Sequence, residues 1–165
     1  MPEESIVSDE SATSSLIVTP HALQAKPHDW LALTGGSIGQ GLPLAIGASI
    51  AKPDRPVITL HGDGGAMYTV QALWTQAREN LNITNIIFSN RSYEILKIEL
   101  DRVQAVETGE RAASMFSMDN PPIDWVNLAE SMGVQGYKPK TVKEFKDVFS
   151  KSINESGPSL IEIEI

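Results

Sequence analysis

Apolar and polar positions along this chain follow two rhythms. Short apolar runs recur, and stretches with helical spacing separate them. Val57-Ile58-Thr59-Leu60 and Thr84-Asn85-Ile86-Ile87-Phe88 read as buried strands. Ser5-Ile6-Val7-Ser8 is a weaker first strand, and the polar stretch from Asp9 to Ser15 suits a loop or a helix start. Trp30-Leu31-Ala32-Leu33 is a further run, ended by Thr34-Gly35-Gly36. A glycine-rich turn, Ser37 to Pro43, then enters a buried helix from Leu44 to Ala51, with Pro43 tolerated in its first turn. Apolar residues at Val70, Leu73, Trp74, Ala77 and Leu81 predict a helix that Asn82 ends. Tyr93 to Val103 predicts another, with Ile95, Ile98 and Val103 apolar; the polar, irregular stretch from Gln104 to Asn120 reads as a mobile loop.

The last third carries clear punctuation. Asp124 is placed as the N-cap of a helix bearing Trp125, Leu128, Ala129 and Met132, which Gly133 stops. Thr141-Val142-Lys143-Glu144 matches a capping box, and Gly157-Pro158 breaks the helix that follows. Leu160 to Ile165 alternates as a strand with one buried face near a sheet edge. Strands thus alternate with helices, which predicts an α/β fold. The expected form is three αβα layers around a mostly parallel, doubly wound sheet, in a single domain spanning 1–165.

Composition narrows the function classes. With 165 residues and 41% hydrophobic content, the chain can build a sizeable core. Its apolar runs are too short to span a bilayer. A formal net charge of -8 argues against a nucleic-acid-binding face. The absence of cysteine excludes thiol catalysis and zinc-thiolate sites, and fits a cytoplasmic protein. The acidic start, Met1-Pro2-Glu3-Glu4, lacks the features of a signal peptide.

Candidate chemistry sits at two strand ends. His61-Gly62-Asp63-Gly64-Gly65 follows one apolar strand, and Asn90, 27 residues after Asp63, follows another. An acid, an amide and glycine-rich backbone at the carboxyl edge of a parallel sheet suit a hard cation carrying a diphosphate. With so acidic a chain, such a group is held by a metal and backbone amides, not by a cationic surface. No Gly-x-Gly-x-x-Gly follows the first strand, which disfavours a dinucleotide site. His21, His28 and His61 are read as structural or solvated, and Glu94 as solvated or at a cavity edge.

These residues resemble the diphosphate-binding, C-terminal domain of thiamine diphosphate-dependent enzymes, in the branch of acetolactate synthase, pyruvate decarboxylase and benzoylformate decarboxylase. The family pattern is Gly-Asp-Gly, some two dozen residues, then Asn-Asn; here it reads Gly62-Asp63-Gly64 and Ser89-Asn90. The upstream signature appears as Gly36-Ser37-Ile38-Gly39. The resemblance implies that Asp63, Asn90 and the Ser92 carbonyl hold Mg²⁺. It implies that Gly62, Gly64 and Gly65 cradle the diphosphate, and that Ile38 supports a bent cofactor. The Gly36 carbonyl would receive the cofactor's amino group. Tyr93, Ile95 and Leu96 would face the substrate cavity, and Asp9–Thr13 would touch the diphosphate less specifically. Ser89 replaces the first Asn, which is not the metal ligand.

The family's catalytic Glu lies on a pyrimidine-binding domain that these 165 residues do not contain. The resemblance therefore implies half of an active site, either the C-terminal part of a longer enzyme or a separate subunit, inactive without that domain from the same or a partner chain. The activity implied is 2-oxo acid decarboxylation or carbon–carbon ligation in a homo-oligomer. A split decarboxylase of the sulfopyruvate type and a non-catalytic cofactor-binding module are the alternatives.

Overall fold

A computed structural model describes residues 1–103 and 109–165. Six strands form one sheet: β1 (Ser5–Glu10), β2 (His28–Ala32), β3 (Val57–Gly62), β4 (Ile83–Ser89), β5 (Gln135–Tyr137) and β6 (Ser159–Glu164). Their order is β2-β1-β3-β4-β6-β5, and every pairing is parallel. The helices are α1 (Ser15–Ala22), α2 (Gly41–Ala51), α3 (Asp63–Ala66), α4 (Ala72–Arg78), α5 (Glu94–Arg102), α6 (Glu110–Ser114), α7 (Trp125–Ser131) and α8 (Val142–Asn154). The expected αβα layering is present, and the sheet is parallel throughout.

Both faces of the sheet are covered, which is why its strands read as apolar runs. On one face Ile87 and Leu160 pack with Leu42 of α2, Leu73 of α4 and Trp125 and Ala129 of α7. On the other, Val7, Ile58, Leu60 and Ile86 pack with Val18 of α1 and Phe145, Phe149 and Ile153 of α8. Each fully buried Leu or Ile contributes about 1.5–3 kcal/mol. The buried amide of Asn85 is fully used. Its oxygen accepts from Thr59 and Gln76, and its nitrogen donates to the Gln76 side chain and the Ser159 carbonyl. That network explains a polar residue in the middle of a central strand.

Several expectations need correction. The helix expected over 70–81 is shorter, running only from Ala72 to Arg78, because left-handed Asn80, φ 48°, turns the chain before Leu81. Trp74 points outward, 52% exposed, with the Arg78 guanidinium 4.9 Å from its ring centre. Of the stretch read as a mobile loop, 104–108 lie outside the described residues. The rest holds α6 and an antiparallel bridge between Ser92 and Ser117. The edge strand β5 has only three residues and no periodic signal. It shifts β6 one place inward, so Glu162 is 1% exposed rather than outward-facing. Lys138 compensates it at 3.1 Å. The caps stand as expected: Asp124 accepts from the Asn127 N–H and Thr141 from the Glu144 N–H. Among the described residues, no helix is long and apolar enough to cross a membrane.

Candidate functional site

The winding of the sheet reverses between β1 and β3. β1 leads to β2 on one side and β3 leads to β4 on the other. Loops leaving their carboxyl ends therefore diverge and open a crevice. A cleft of about 60 Å³ lies there. The 3-10 turn Ala12–Ser14 after β1, the Gly62–Gly65 turn after β3 and residues 90–95 after β4 line it. Asp63 and Asn90, singled out by their spacing, and Gly62, Gly64, Gly65, Ser92 and Tyr93, which the resemblance added, come together in this one cleft.

Asp63 begins α3 at the foot of the cleft and is only 3% exposed. One carboxylate oxygen accepts from the Gly64 N–H at 2.9 Å, the other from the Arg91 N–H at 2.7 Å. Burial pushes the Asp63 carboxyl above its ordinary value; the Arg91 and Gly64 N–H groups only partly offset this, and the buried charge of Glu162 adds to it. A desolvated carboxylate facing a cleft is poised for a cation. Asn90 opens the loop after β4, and its side-chain oxygen accepts from the Ser92 N–H at 2.9 Å. A carboxylate, an amide oxygen and the Ser92 backbone carbonyl make an all-oxygen donor set, the kind a hard divalent cation takes. Among the described residues no cluster of three or more His, Asp or Glu could hold a metal, so any ion here needs ligands beyond acidic side chains.

The loop between Asn90 and Tyr93 is held from below. Arg91 adopts a left-handed backbone, φ 54°, which costs a non-glycine residue about 1 kcal/mol. That conformation aims its N–H at Asp63. Its carbonyl accepts from the Met118 N–H at 2.7 Å, and its guanidinium pairs with Asp119 and Glu164. Tyr93 donates its N–H to the Phe116 carbonyl at 2.9 Å, and its ring lies across Gly64. A Cβ at Gly64 would stand 2.7 Å from that ring. The glycine is thus required first by Tyr93.

The other half of the sequence-derived set stands apart. Gly36 closes the 3-10 turn Thr34–Gly36 after β2, with φ 67°, and its carbonyl accepts from the Ile38 N–H at 2.9 Å. Ile38 is 55% exposed on this loop. Neither lines the cleft around Asp63, though both lie at the same carboxyl edge of the sheet. Ile95 and Leu96 are exposed on α5, 44% and 49%, and Glu94 is paired with Lys97 at 3.1 Å.

Sequence reasoning passed over a buried pair of ionisable residues. Glu10 and His61 are register partners at the ends of β1 and β3, and both are buried. His61 Nε2 lies 3.1 Å from Glu10 Oε2. Of the two readings left open for His61, structural or solvated, burial selects the structural one: it is 0% exposed. The available signal was two ionisable residues closing two apolar strands that the winding makes neighbours.

Residues 12–163 match the family model described as "Thiamine pyrophosphate enzyme, C-terminal TPP binding domain". The chain is 46% identical over 164 residues to a Mycobacterium tuberculosis protein named "Putative acetolactate synthase large subunit IlvX", covering 99% of this chain and 32% of that one. Against the acetolactate synthase isozyme 2 large subunit of Escherichia coli it is 26% identical, covering 99% of this chain and 29% of that one. The solved thiamine diphosphate-dependent 4-hydroxybenzoylformate decarboxylase of Rhodococcus jostii superposes with a TM-score of 0.85 at 32% identity, over 99% of this chain and 30% of that one. The chain spans about a third or less of the length of these relatives.

Proposed function

The chain belongs to the family of thiamine pyrophosphate enzymes, as their C-terminal TPP-binding domain, and on that premise we propose that it anchors Mg²⁺–thiamine diphosphate by the diphosphate, as one half of the active site of a 2-oxo acid decarboxylase or carboligase. The carrying observation is the convergence of buried Asp63 with Asn90 and Ser92 in one cleft at the switch point of the sheet. Asp63 would supply a carboxylate oxygen to the ion, Asn90 its side-chain oxygen and Ser92 its carbonyl. Gly62, Gly64 and Gly65 would leave room for the diphosphate against the backbone. The Gly64 N–H serves Asp63; in this reading Asp63 would give part of its carboxylate to the ion and the Gly64 N–H would be free to donate to a phosphate oxygen.

When bound, thiamine diphosphate supplies an acidic carbon that adds to the 2-oxo group and a cationic ring that accepts the electron pair left by departing CO₂. The chain's own part is binding and orientation. Gly36 would receive the cofactor's amino group on its carbonyl, and exposed Ile38 would support the bend between the two rings. Tyr93, with Ile95 and Leu96 beside it, would border the substrate. A pyrimidine-binding domain, from the same or another chain, would complete the site and supply the group that activates the cofactor; the working enzyme would be a homo-oligomer in the cytoplasm.

The test supplies such a domain from a relative together with thiamine diphosphate and Mg²⁺, and screens 2-oxo acids for CO₂ release and for carboligation products. Turnover that Asp63→Ala abolishes is the expected result. Cofactor binding with no turnover on any 2-oxo acid would instead mark a non-catalytic binding module. Binding that Asp63→Ala leaves unchanged would remove the metal assignment.

A further inference from the structure

Glu10 stands apart from the cleft yet touches three segments of the carboxyl edge. It closes β1, and the register sets it beside His61, the penultimate residue of β3. Its carboxylate accepts from two backbone N–H groups, those of Gly39 and Gly41, the latter at 2.6 Å. His61 lies 3.1 Å away on the remaining side. Glu10 is 5% exposed and His61 0%. Two further contacts grip the same backbone. Ser8, two residues back on the same strand face, donates its hydroxyl to the Gly41 carbonyl at 2.9 Å, and Thr69 donates to the Gly39 carbonyl at 2.6 Å. Gly41 could not carry a side chain, because a Cβ would meet the His61 ring at 2.8 Å. Packing and charge thus converge on residues 39–41, where the β2–α2 connection enters α2.

We propose that Glu10 is a positioning residue: its buried carboxylate, opposite His61, holds the backbone of Gly39 and Gly41 and so sets where Gly36 and Ile38 stand relative to the Asp63 cleft. The physical need is plain. Gly35, Gly36 and Gly39 all take positive φ, at 65°, 67° and 90°, so the connection has little intrinsic preference for one shape. Ile38 is 55% exposed, so packing holds it only weakly. A charge-assisted pair of hydrogen bonds onto one desolvated carboxylate supplies a strong restraint on the connection. The inference rests on the function proposed above for its consequence, though the anchoring itself does not.

The test compares the full chain with Glu10→Gln, which replaces one acceptor oxygen by an N–H₂ group facing a backbone N–H. Amide hydrogen exchange is followed by NMR. Each protein, with a relative's pyrimidine-binding domain supplied, is then titrated with Mg²⁺ plus inorganic diphosphate, and separately with Mg²⁺ plus thiamine diphosphate. Exchange at Gly39 and Gly41 should rise at least tenfold in the variant, while the amides of Gly64 and Arg91 keep their rates. The inorganic diphosphate midpoint should stay within twofold, and the thiamine diphosphate midpoint should rise at least fivefold. Unchanged exchange at Gly39 and Gly41 overturns the proposal, as does equal weakening of both ligands, which is what general loosening of the fold produces. If the parent binds neither ligand, the proposed function fails while the exchange data still decide the anchoring. Should Glu10→Gln not fold, Glu10→Asp keeps the charge opposite His61 but draws the carboxylate back from Gly39 and Gly41, and it is read by the same criteria.

Discussion

The Arg91 backbone N–H donates to the Asp63 carboxylate at 2.7 Å, joining the ends of two adjacent strands across the floor of the cleft. One residue of left-handed backbone makes this possible: φ 54° at Arg91 turns the N–H inward and places Asn90 and Ser92 on either side. Strain at such a position persists because the surroundings over-determine it. Here the Met118 N–H on the Arg91 carbonyl and the two ion pairs of its side chain do so. A glycine at 91 takes this conformation freely, whereas alanine takes it with the full steric cost. Arg91→Gly should therefore be more stable than Arg91→Ala by about 1 kcal/mol, read from urea unfolding midpoints. The reverse order would mean that the backbone relaxes to negative φ once the guanidinium is gone.

Asp63 offers the most direct test of the metal assignment. Asp63→Ala should weaken Mg²⁺-dependent binding of thiamine diphosphate by about 100-fold, or roughly 3 kcal/mol, in a titration with the pyrimidine-binding domain supplied. Ser89→Asn, which restores the family's paired amides beside an unchanged Asn90, should leave that affinity within about threefold, since Ser89 is buried beneath the loop and less than 1 kcal/mol is at stake.

The fold was largely legible because its strands are buried on both faces and α7 and α8 carry side-chain caps. Asp124 and Thr141 announce their helices by side-chain chemistry that acts within four residues. What escaped depends on neighbours distant in the chain. The three-residue β5 exists because β6 offers it a partner, and Glu162 is buried because β5 and Lys138 cover it. The site divides in the same way. Asp63 and Asn90 are found from spacing, since each closes an apolar strand. Glu10 and His61 are invisible until β1 and β3 are known to be adjacent. The helix expected over 70–81 is too long at both ends because apolar spacing cannot register the turn that brings Thr69 onto Gly39 or the left-handed Asn80, φ 48°, that follows Arg78.

Glu10 also makes a prediction about acid. Burial raises its carboxyl, but the His61 contact and the Gly39 and Gly41 N–H groups outweigh that and hold it below the ordinary value of 4.5. A carboxyl whose folded value is depressed binds its proton more readily when unfolded. Its contribution is therefore present above about pH 4.5 and is lost as pH falls through the lower folded value. Unfolding free energy should drop in that window, and the drop should be shallower in Glu10→Gln. At neutral pH Glu10→Ala should cost about 3 kcal/mol, because it leaves the buried Gly39 and Gly41 N–H groups without their acceptor. An acid limb of equal slope in parent and Glu10→Gln would assign the loss to other carboxylates.

Thr141 tests the punctuation of α8. Its hydroxyl accepts from the Glu144 N–H at 3.1 Å, while the Glu144 carboxylate reaches past it to the Lys140 N–H. Thr141→Ala should lower stability by about 1 kcal/mol without changing binding at the Asp63 cleft. Thr141→Ser should recover most of that loss in the same thermal melts.

Gly64 separates two reasons for a glycine in the Gly62–Gly65 turn. A Cβ there would lie 2.7 Å from Tyr93 Cδ1 and 3.7 Å from Met118 Sδ, so Gly64→Ala must displace the Tyr93 ring, costing about 1–3 kcal/mol. Tyr93→Ala alone removes packing from the same spot. If the ring is the sole obstacle, the double variant carries no clash, and its loss should be smaller than the sum of the two single losses by at least about 1 kcal/mol. Ligand affinity reads the other reason. Should the diphosphate also need the bare backbone of Gly64, the double variant would regain stability yet still bind Mg²⁺–thiamine diphosphate weakly. Recovery of both would leave Tyr93 as the only partner that demands glycine at this position.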